Sequence, residues 1–289
     1  MHVLIVGAGA MGRWIGETLV STDRDGSDTV ALTFADVDPD AAREAAASIE
    51  GDARAVPASD SGLDPLDAAA DPGLTVDVVC LAVPMPHVEA AVERYGPLAE
   101  RAVIDVAGVM ATPLEAMATH TPGLERVSLH PLFAPERAPG SIATVTAAAG
   151  PTSDRILGAL EVAGNRLVET TAAEHDRAME SVQSAAHAAV LAFALAADPV
   201  PEGFETPIFA ELEQLTHYVT DGTPRVYRDI QQTFDGADAV ADAAQRIADA
   251  EDEAFDDLYR AARERWAGAD RLQEPRVVDG IDDGTAEDR

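Results

Sequence analysis

The sequence predicts an α/β fold, a doubly wound parallel sheet followed by an all-helical half. Three observations carry this: short β-branched runs alternate with helix-like stretches, a glycine cluster separates the first run from the first helix, and the alternation gives way to long helical patterns after about residue 151. The runs are HVLIV (2–6), VALTFA (30–35), VDVVCLAV (76–83), AVIDV (102–106) and ATVTAA (143–148). They are continuously apolar, as expected of parallel strands covered on both faces. The short run ending at Leu129 reads as one more strand. Residues 51–73, rich in Asp, Pro and small side chains, predict surface loops with room for a short helix.

In the second half, residues 171–197 and 236–269 predict long helices; Val240, Ile247, Phe255, Leu258 and Trp266 recur at helical spacing in the latter. Residues 206–234 predict two more helices, broken at DGTP. The expected organisation is a dinucleotide-binding domain over 1–150, a helical substrate and dimerisation domain over 151–270, and a disordered acidic tail over 271–289. Alanine-rich helices with apolar faces and no sheet of their own favour packing against a second copy, so a homodimer is expected.

Composition narrows the chemistry. The 52 acidic residues stand against 20 basic ones, a net charge of −32, and every basic residue is arginine. An acidic excess spread along the chain suits a protein kept soluble in concentrated salt, where a Debye length of ~3 Å screens the self-repulsion. A halophilic source is therefore expected. No basic stripe is present to neutralise phosphates, which argues against a nucleic-acid partner. Without lysine, a Walker phosphate loop, Schiff-base catalysis and dehydrogenases using a catalytic ammonium are excluded. The lone Cys80, inside an apolar run, reads as a small buried hydrophobe, so neither disulfides nor thiolate metal clusters are expected. The chain lacks a charged leader and an apolar stretch approaching the ~20 residues of a membrane span, giving a soluble, cytoplasmic expectation with no membrane partner.

The stretch VLIVGAGAMG places Gly7, Gly9 and Gly12 directly after a strand and at the opening of a helix. In a Rossmann-type turn the first glycine permits the tight bend, the second lets the backbone approach a pyrophosphate, and the third packs helix against strand. Free N–H groups of the first helical turn, those of Ala10 and Met11, would face the phosphates. Asp36 ends the second strand 24 residues after Gly12, placed to accept from ribose hydroxyls and to repel a 2′-phosphate, so NAD is the expected cofactor. Val83 and Pro84, beyond the next strand, would border the nicotinamide side of the crevice. His87, at the following helix start, reads as solvated or capping.

His130 likewise follows a strand, immediately before Pro131, and should project from the carboxyl edge of the sheet into the same crevice. An enzyme that oxidises an alcohol with a nicotinamide needs a base for the hydroxyl proton, and an imidazole with a reference pKa of ~6.5 serves near neutrality.

Several segments together resemble the prephenate dehydrogenase family. SLHPLFAPE resembles its HPxFGP segment, DVAGVMATPLEAM its DxASVK segment, EHDRAMESVQSAAHAAVLAFALA its HD…VQ…H…FA helix, and GTPRVYRDIQ a further family helix. The motifs occur in family order from Met1 to about residue 265. The resemblance implies oxidative decarboxylation of prephenate to 4-hydroxyphenylpyruvate in tyrosine synthesis, with His130 as the catalytic base. It places Gln183, His187, Tyr227 and Glu136 at the substrate, Tyr227 either from the same chain or across a dimer, and His175 in packing or capping. A metal site is not expected, because His175 and His187 are more than three helical turns apart.

The chain also departs from the family. Gly108 stands where the family has serine, removing a contact worth about 1–3 kcal/mol, and Met110 stands where it has lysine. Tyr218 occupies the place of the arginine that holds the ring carboxylate, leaving Arg137, Arg225 and Arg228 as candidate replacements. The alternatives are an arogenate dehydrogenase, another NAD-dependent hydroxy-acid dehydrogenase, and a non-catalytic NAD-binding regulatory protein.

Overall fold

A computed structural model describes residues 1–22, 29–57 and 76–267. These form two compact units, Met1–Val240 and the residues from Ala241 onward. The first is built on an eight-stranded sheet of order β3-β2-β1-β4-β5-β6-β7-β8. Its strands are β1 (His2–Val6), β2 (Ala31–Asp36), β3 (Asp52–Pro57), β4 (Val76–Leu81), β5 (Ala99–Asp105), β6 (Glu125–Pro131), β7 (Ser141–Ala148) and β8 (Arg166–Glu169). Strands β1 to β6 pair in parallel. The chain reverses at β7, which runs antiparallel to β6 and parallel to β8. The sheet is therefore mixed where an all-parallel one was expected.

Alternating side chains of each strand fill the two faces. Val3, Ile5, Leu32, Phe34, Val78 and Cys80 enter the core under helices α1 (Ala10–Ser21), α2 (Pro39–Ser48) and, further along the chain, α5 (Pro151–Val162). Leu4, Val6, Val79, Leu81 and Val103 face α3 (Val88–Tyr95) and α4 (Ala111–His120). Burial on both faces explains why these strands read as unbroken apolar runs. Cys80 is fully buried, and burial drives its thiol pKa upward, so it behaves as a core residue.

Two strands escape the pattern reading. Residues 52–57, expected as loop, form the edge strand β3; the polar DAR segment is tolerated because an edge has one unpaired side, and the strand ends at Pro57. The rest of that expected loop, from residue 58, lies outside the described residues. Beyond residue 150, α5 and β8 continue to serve the sheet, so it extends past the expected domain boundary.

The helices that follow are α6 (Ala172–Met179), a π-helical turn (Glu180–Ala185), α7 (Ala186–Ala196), α8 (Pro207–Thr220) and α9 (Pro224–Thr233). Thr171 and Glu174 form a capping box at the start of α6, and Pro207 and Pro224 occupy first-turn positions of α8 and α9. The second long helical pattern divides into α10 (Gly236–Ala248) and α11 (Asp252–Trp266), with Glu251 as the new N-cap. The expected tail at 271–289 lies outside the described residues.

Candidate active site

The strand order reverses between β1 and β4, and a crevice opens beyond the carboxyl ends of strands at such a switch point. Gly7 turns there with φ +99°, and a Cβ on it would lie 2.3 Å from the carbonyl oxygen of Ala82. A Cβ on Gly12 would lie 1.9 Å from the Gly7 carbonyl oxygen, so helix α1 can approach the turn only with hydrogen at that position. Gly9, by contrast, is the N-cap of α1 and has nothing within 4 Å of a built Cβ. No side chain caps this helix, which leaves the first-turn N–H groups, Ala10 and Met11 included, facing an open cradle.

Asp36 closes the cradle at the end of β2. Its Oδ2 accepts from the Ala8 N–H at 2.7 Å and its Oδ1 from the Asp38 N–H at 2.9 Å. These bonds fix the carboxylate beside the glycine turn and leave lone pairs for further donors. Val83 and Pro84 follow β4, next to the Ala82 carbonyl that Gly7 meets. The residues present thus fit a dinucleotide. His87 is exposed at the start of α3.

His130 lies on β6, 6% exposed. Its Nδ1 is 2.8 Å from Nε2 of His175, and Nδ1 of His175 is 2.7 Å from Oδ1 of Asp176. The Asp176 carboxylate also accepts from the N–H groups of Met110 and Ala111 at 2.9 and 3.0 Å. Burial alone would raise its pKa; the hydrogen bonds from His175 and the two amides outweigh it and hold the carboxyl below the ordinary range.

An ionised carboxylate only accepts, so in the neutral pair the proton order is fixed. His175 donates from Nδ1, its Nε2 accepts the Nδ1–H of His130, and the lone pair of His130 is left on Nε2. Gln183 donates to that atom from Nε2 at 3.3 Å. Burial first, and next the electrostatic influence of His175, press the pKa of His130 down to about 3, with Asp176 opposing. The imidazole therefore stands as a neutral base.

His175, expected in packing or capping, is a hydrogen-bonded partner of His130 and is 3% exposed. Met85 was not foreseen at all. A Cβ built on Gly108 would sit 3.6 Å from His130 Nε2 but 3.1 Å from the Met85 sulfur, so the thioether crowds the place where the family's serine would project. Met110, in the family's lysine position, is fully buried and contributes its backbone N–H to Asp176.

Gln183 lies in the π-helical turn, a local widening of the helix that often marks functional positions. The freed Ser184 carbonyl accepts from Gln231 Nε2 at 3.0 Å, which anchors the turn to α9. One turn on, the His187 ring meets Tyr227 edge-on, centroids 4.9 Å apart. Gln183 Oε1 and His187 Nδ1 are buried without a hydrogen-bond partner, as expected of atoms awaiting a polar ligand. Glu136 stands apart from this group. It is exposed on the turn after β6 and lines a shallow cavity against α1 with Ala10, Arg13, Trp14, Glu17 and Pro135.

Asp105, at the end of β5, is fully buried; its Oδ1 accepts from Ala107 N–H at 2.9 Å, while Oδ2 has no partner. Burial first, and the nearby Asp176 charge, raise its pKa to about 8 against the bond from Ala107. A raised carboxyl pKa adds stability below the unfolded-state value and loses it as pH rises through the folded value. Asp105→Asn is expected to flatten the loss of thermal stability between pH ~4 and ~8, its Tm exceeding wild type by several degrees on the alkaline side. Melting curves across that range check this; parallel curves for the two proteins contradict it.

A dinucleotide cradle with a buried neutral imidazole on the same strand-end surface defines a dinucleotide-dependent dehydrogenase. Residues 2–108 match the family described as NADP oxidoreductase, coenzyme F420-dependent. A 4-amino-4-deoxyprephenate dehydrogenase of Streptomyces pristinaespiralis is 34% identical over 84% of this chain and 81% of its own length. The chain belongs to the prephenate dehydrogenase family, which includes the arogenate and aminodeoxyprephenate enzymes. The Aquifex aeolicus prephenate dehydrogenase, solved with hydroxyphenyl propionate and NAD+, shares the fold at TM-score 0.63 and 16% identity, over 92% of this chain and 98% of that one. Synechocystis arogenate dehydrogenase aligns at TM-score 0.52 and 18% identity, over 94% and 99%. Among the described residues no group of His, Cys, Asp and Glu could hold a metal ion, and no helix is long and apolar enough to cross a membrane.

Proposed function

We propose that this dehydrogenase converts prephenate to 4-hydroxyphenylpyruvate and CO2 in the cytoplasm, as a step of tyrosine synthesis. The observation that carries the reading is the relay from Asp176 through His175, which leaves a lone pair on Nε2 of His130. Gly7, Gly9, Ala10, Met11, Gly12, Val83 and Pro84 would hold the dinucleotide. Asp36, already fixed by Ala8 and Asp38, would meet the adenosine ribose hydroxyls and disfavour a 2′-phosphate, which selects NAD. NAD, when bound, supplies the hydride acceptor.

His130 takes the C4 hydroxyl proton on Nε2 as the C4 hydride departs, leaving a ring ketone. The Nδ1 proton can pass to His175, whose charge is then paired with Asp176. The ring carboxylate leaves as CO2, its electron pair closes the aromatic ring and returns charge to oxygen, and Nε2 gives the proton back to that oxygen. No proton is lost or gained overall. Gln183 and His187, with their unpartnered buried atoms, and the Tyr227 ring would line the substrate, with Glu136 at the entrance.

A second reading, 4-amino-4-deoxyprephenate as substrate, draws on the Streptomyces relative and on Met85, which replaces a hydroxyl donor beside Nε2 with a thioether. A homodimer is proposed through the helical half. Helix α7 is apolar around its circumference yet has no buried residue, with Leu195 89% exposed, as expected of a face covered by a second copy.

The test is NADH formation in molar salt with prephenate, arogenate and 4-amino-4-deoxyprephenate supplied separately, and light scattering on the same sample. Prephenate is expected to give the highest kcat/KM, from a particle of twice the chain mass. Preference for the amino substrate would establish the second reading, and NAD binding without turnover of any of the three would leave a regulatory protein.

A further inference from the structure

We propose that Arg137, laid on the ring of Tyr218, is the cation that binds the ring carboxylate of the substrate; this rests on the prephenate-type reading above. A substrate with two carboxylates needs a guanidinium in a chain without lysine. Arg228 is engaged with Asp229 at 3.7 Å, and Arg13 with Glu44 at 3.3 Å. Among the described residues Arg225 makes no ion pair and stacks on no ring, and Arg137 makes no ion pair either. Its guanidinium carbon instead lies 4.2 Å from the Tyr218 ring centroid.

Arg137 arrives on the 3-10 turn Pro135–Arg137, seven residues beyond the base on the connection that follows β6. Tyr218 comes from α8, near the end of that helix. The contacts lead back to the reacting atom. The Tyr218 hydroxyl is close enough to Tyr227 to help burial raise its pKa, Tyr227 meets the His187 ring, and His187 is one turn from Gln183, 3.3 Å from His130 Nε2. A chain of neighbouring rings, Tyr218, Tyr227 and His187, thus connects Arg137 to the two unpartnered polar atoms.

Stacking explains how an exposed arginine is held in place. The ring takes the face of the guanidinium and leaves its N–H groups, all in the plane, free for a bidentate carboxylate. Tyr218 is then a positioning residue. The phenol does not replace a guanidinium; it carries one delivered from another element.

The experiment measures calorimetric Kd values in a His130→Asn background with NADH in place of NAD, so that no hydride acceptor is present and nothing turns over. The probes are prephenate, which has the ring carboxylate, and 4-hydroxyphenylpyruvate, which lacks it. Arg137→Gln is expected to weaken prephenate ~10-fold or more and 4-hydroxyphenylpyruvate by less than ~2-fold, with Arg137→Lys intermediate. Tyr218→Phe should bind prephenate like the parent, and Tyr218→Ala should weaken it severalfold. Equal losses for both probes, or no loss for prephenate, overturn the assignment while leaving the substrate reading intact. A parent that binds NADH but no prephenate overturns both.

Discussion

Replacing His130 by asparagine is expected to lower kcat about 10²- to 10⁴-fold while changing NAD affinity less than about two-fold. Asparagine can still accept from Gln183 but cannot carry the hydroxyl proton at neutral pH. The cradle around Gly9 lies on β1 and α1, and the substitution on β6 leaves it untouched. The wild-type pH profile should bear the same imprint. Burial and His175 push the His130 pKa down to about 3 in the free protein, the neutral form is the proposed base, and activity is expected to fall as pH drops into that range. The acid limb of kcat/KM should therefore lie well below the ~6.5 of an ordinary imidazole. Two substrate carboxylates bring negative charge into the pocket and raise the pKa in the complex, so the limb of kcat should lie nearer neutrality than that of kcat/KM. A single limb near 6.5 in both profiles would mean that His130 is neither buried nor coupled to His175 during turnover.

What could be read from the sequence is what is encoded locally. Gly7, Gly9 and Gly12 belong to one turn between adjacent elements, and at Gly7 and Gly12 a Cβ would strike the neighbouring backbone. His130 could be placed because a residue at the end of a parallel strand points to the same edge as the glycine turn. Strand direction is not encoded in apolarity, so β7 read as one more parallel strand although it reverses. Strand β8 has only four residues, RLVE, too few and too polar for a pattern.

The relay escaped for a different reason. His175 is 45 residues from His130 in the chain, and Asp176 is 66 from the Met110 amide it accepts. The HD pair stood in the sequence as part of a family helix, yet nothing local shows which ring nitrogen meets which partner. In a regular helix Gln183 and His187, four residues apart, would share a face, whereas the π-helical turn changes the facing of every residue after it. Met85 and Gly108, too, become neighbours only when the loops after β4 and β5 are brought side by side by the sheet.

Substituting Asp176 by asparagine should be the most damaging change that touches no substrate atom, with kcat reduced ~10²-fold and KM for prephenate little altered. The carboxylate serves three donors at once: Nδ1 of His175 and the amides of Met110 and Ala111. A carboxamide has one acceptor oxygen, so its NH2 must face either an amide N–H or the His175 ring. If the oxygen takes the place of Oδ2 and stays with Ala111, the NH2 faces Met110 and His175, and His175 is pushed to the other tautomer, with its proton on Nε2. That proton is donated to Nδ1 of His130, whose own proton moves to Nε2, and the lone pair that accepts the substrate proton is gone. If the oxygen takes the place of Oδ1, it keeps His175 and Met110, and the Ala111 N–H at the start of α4 loses its acceptor in a partly buried place, at a cost of about 1–3 kcal/mol. Stability alone would not distinguish this from a packing defect, but the pH profile does. With the Asp176 carboxylate removed, the protein's own opposition to the depression of the His130 pKa is lost, and the acid limb of kcat should move lower than in the wild type. Imidazole ¹⁵N shifts of the variant should show the proton of His130 on Nε2, in place of Nδ1 in the wild type. An Asp176→Asn enzyme with unchanged ring tautomers and wild-type kcat would mean that His130 works without the relay.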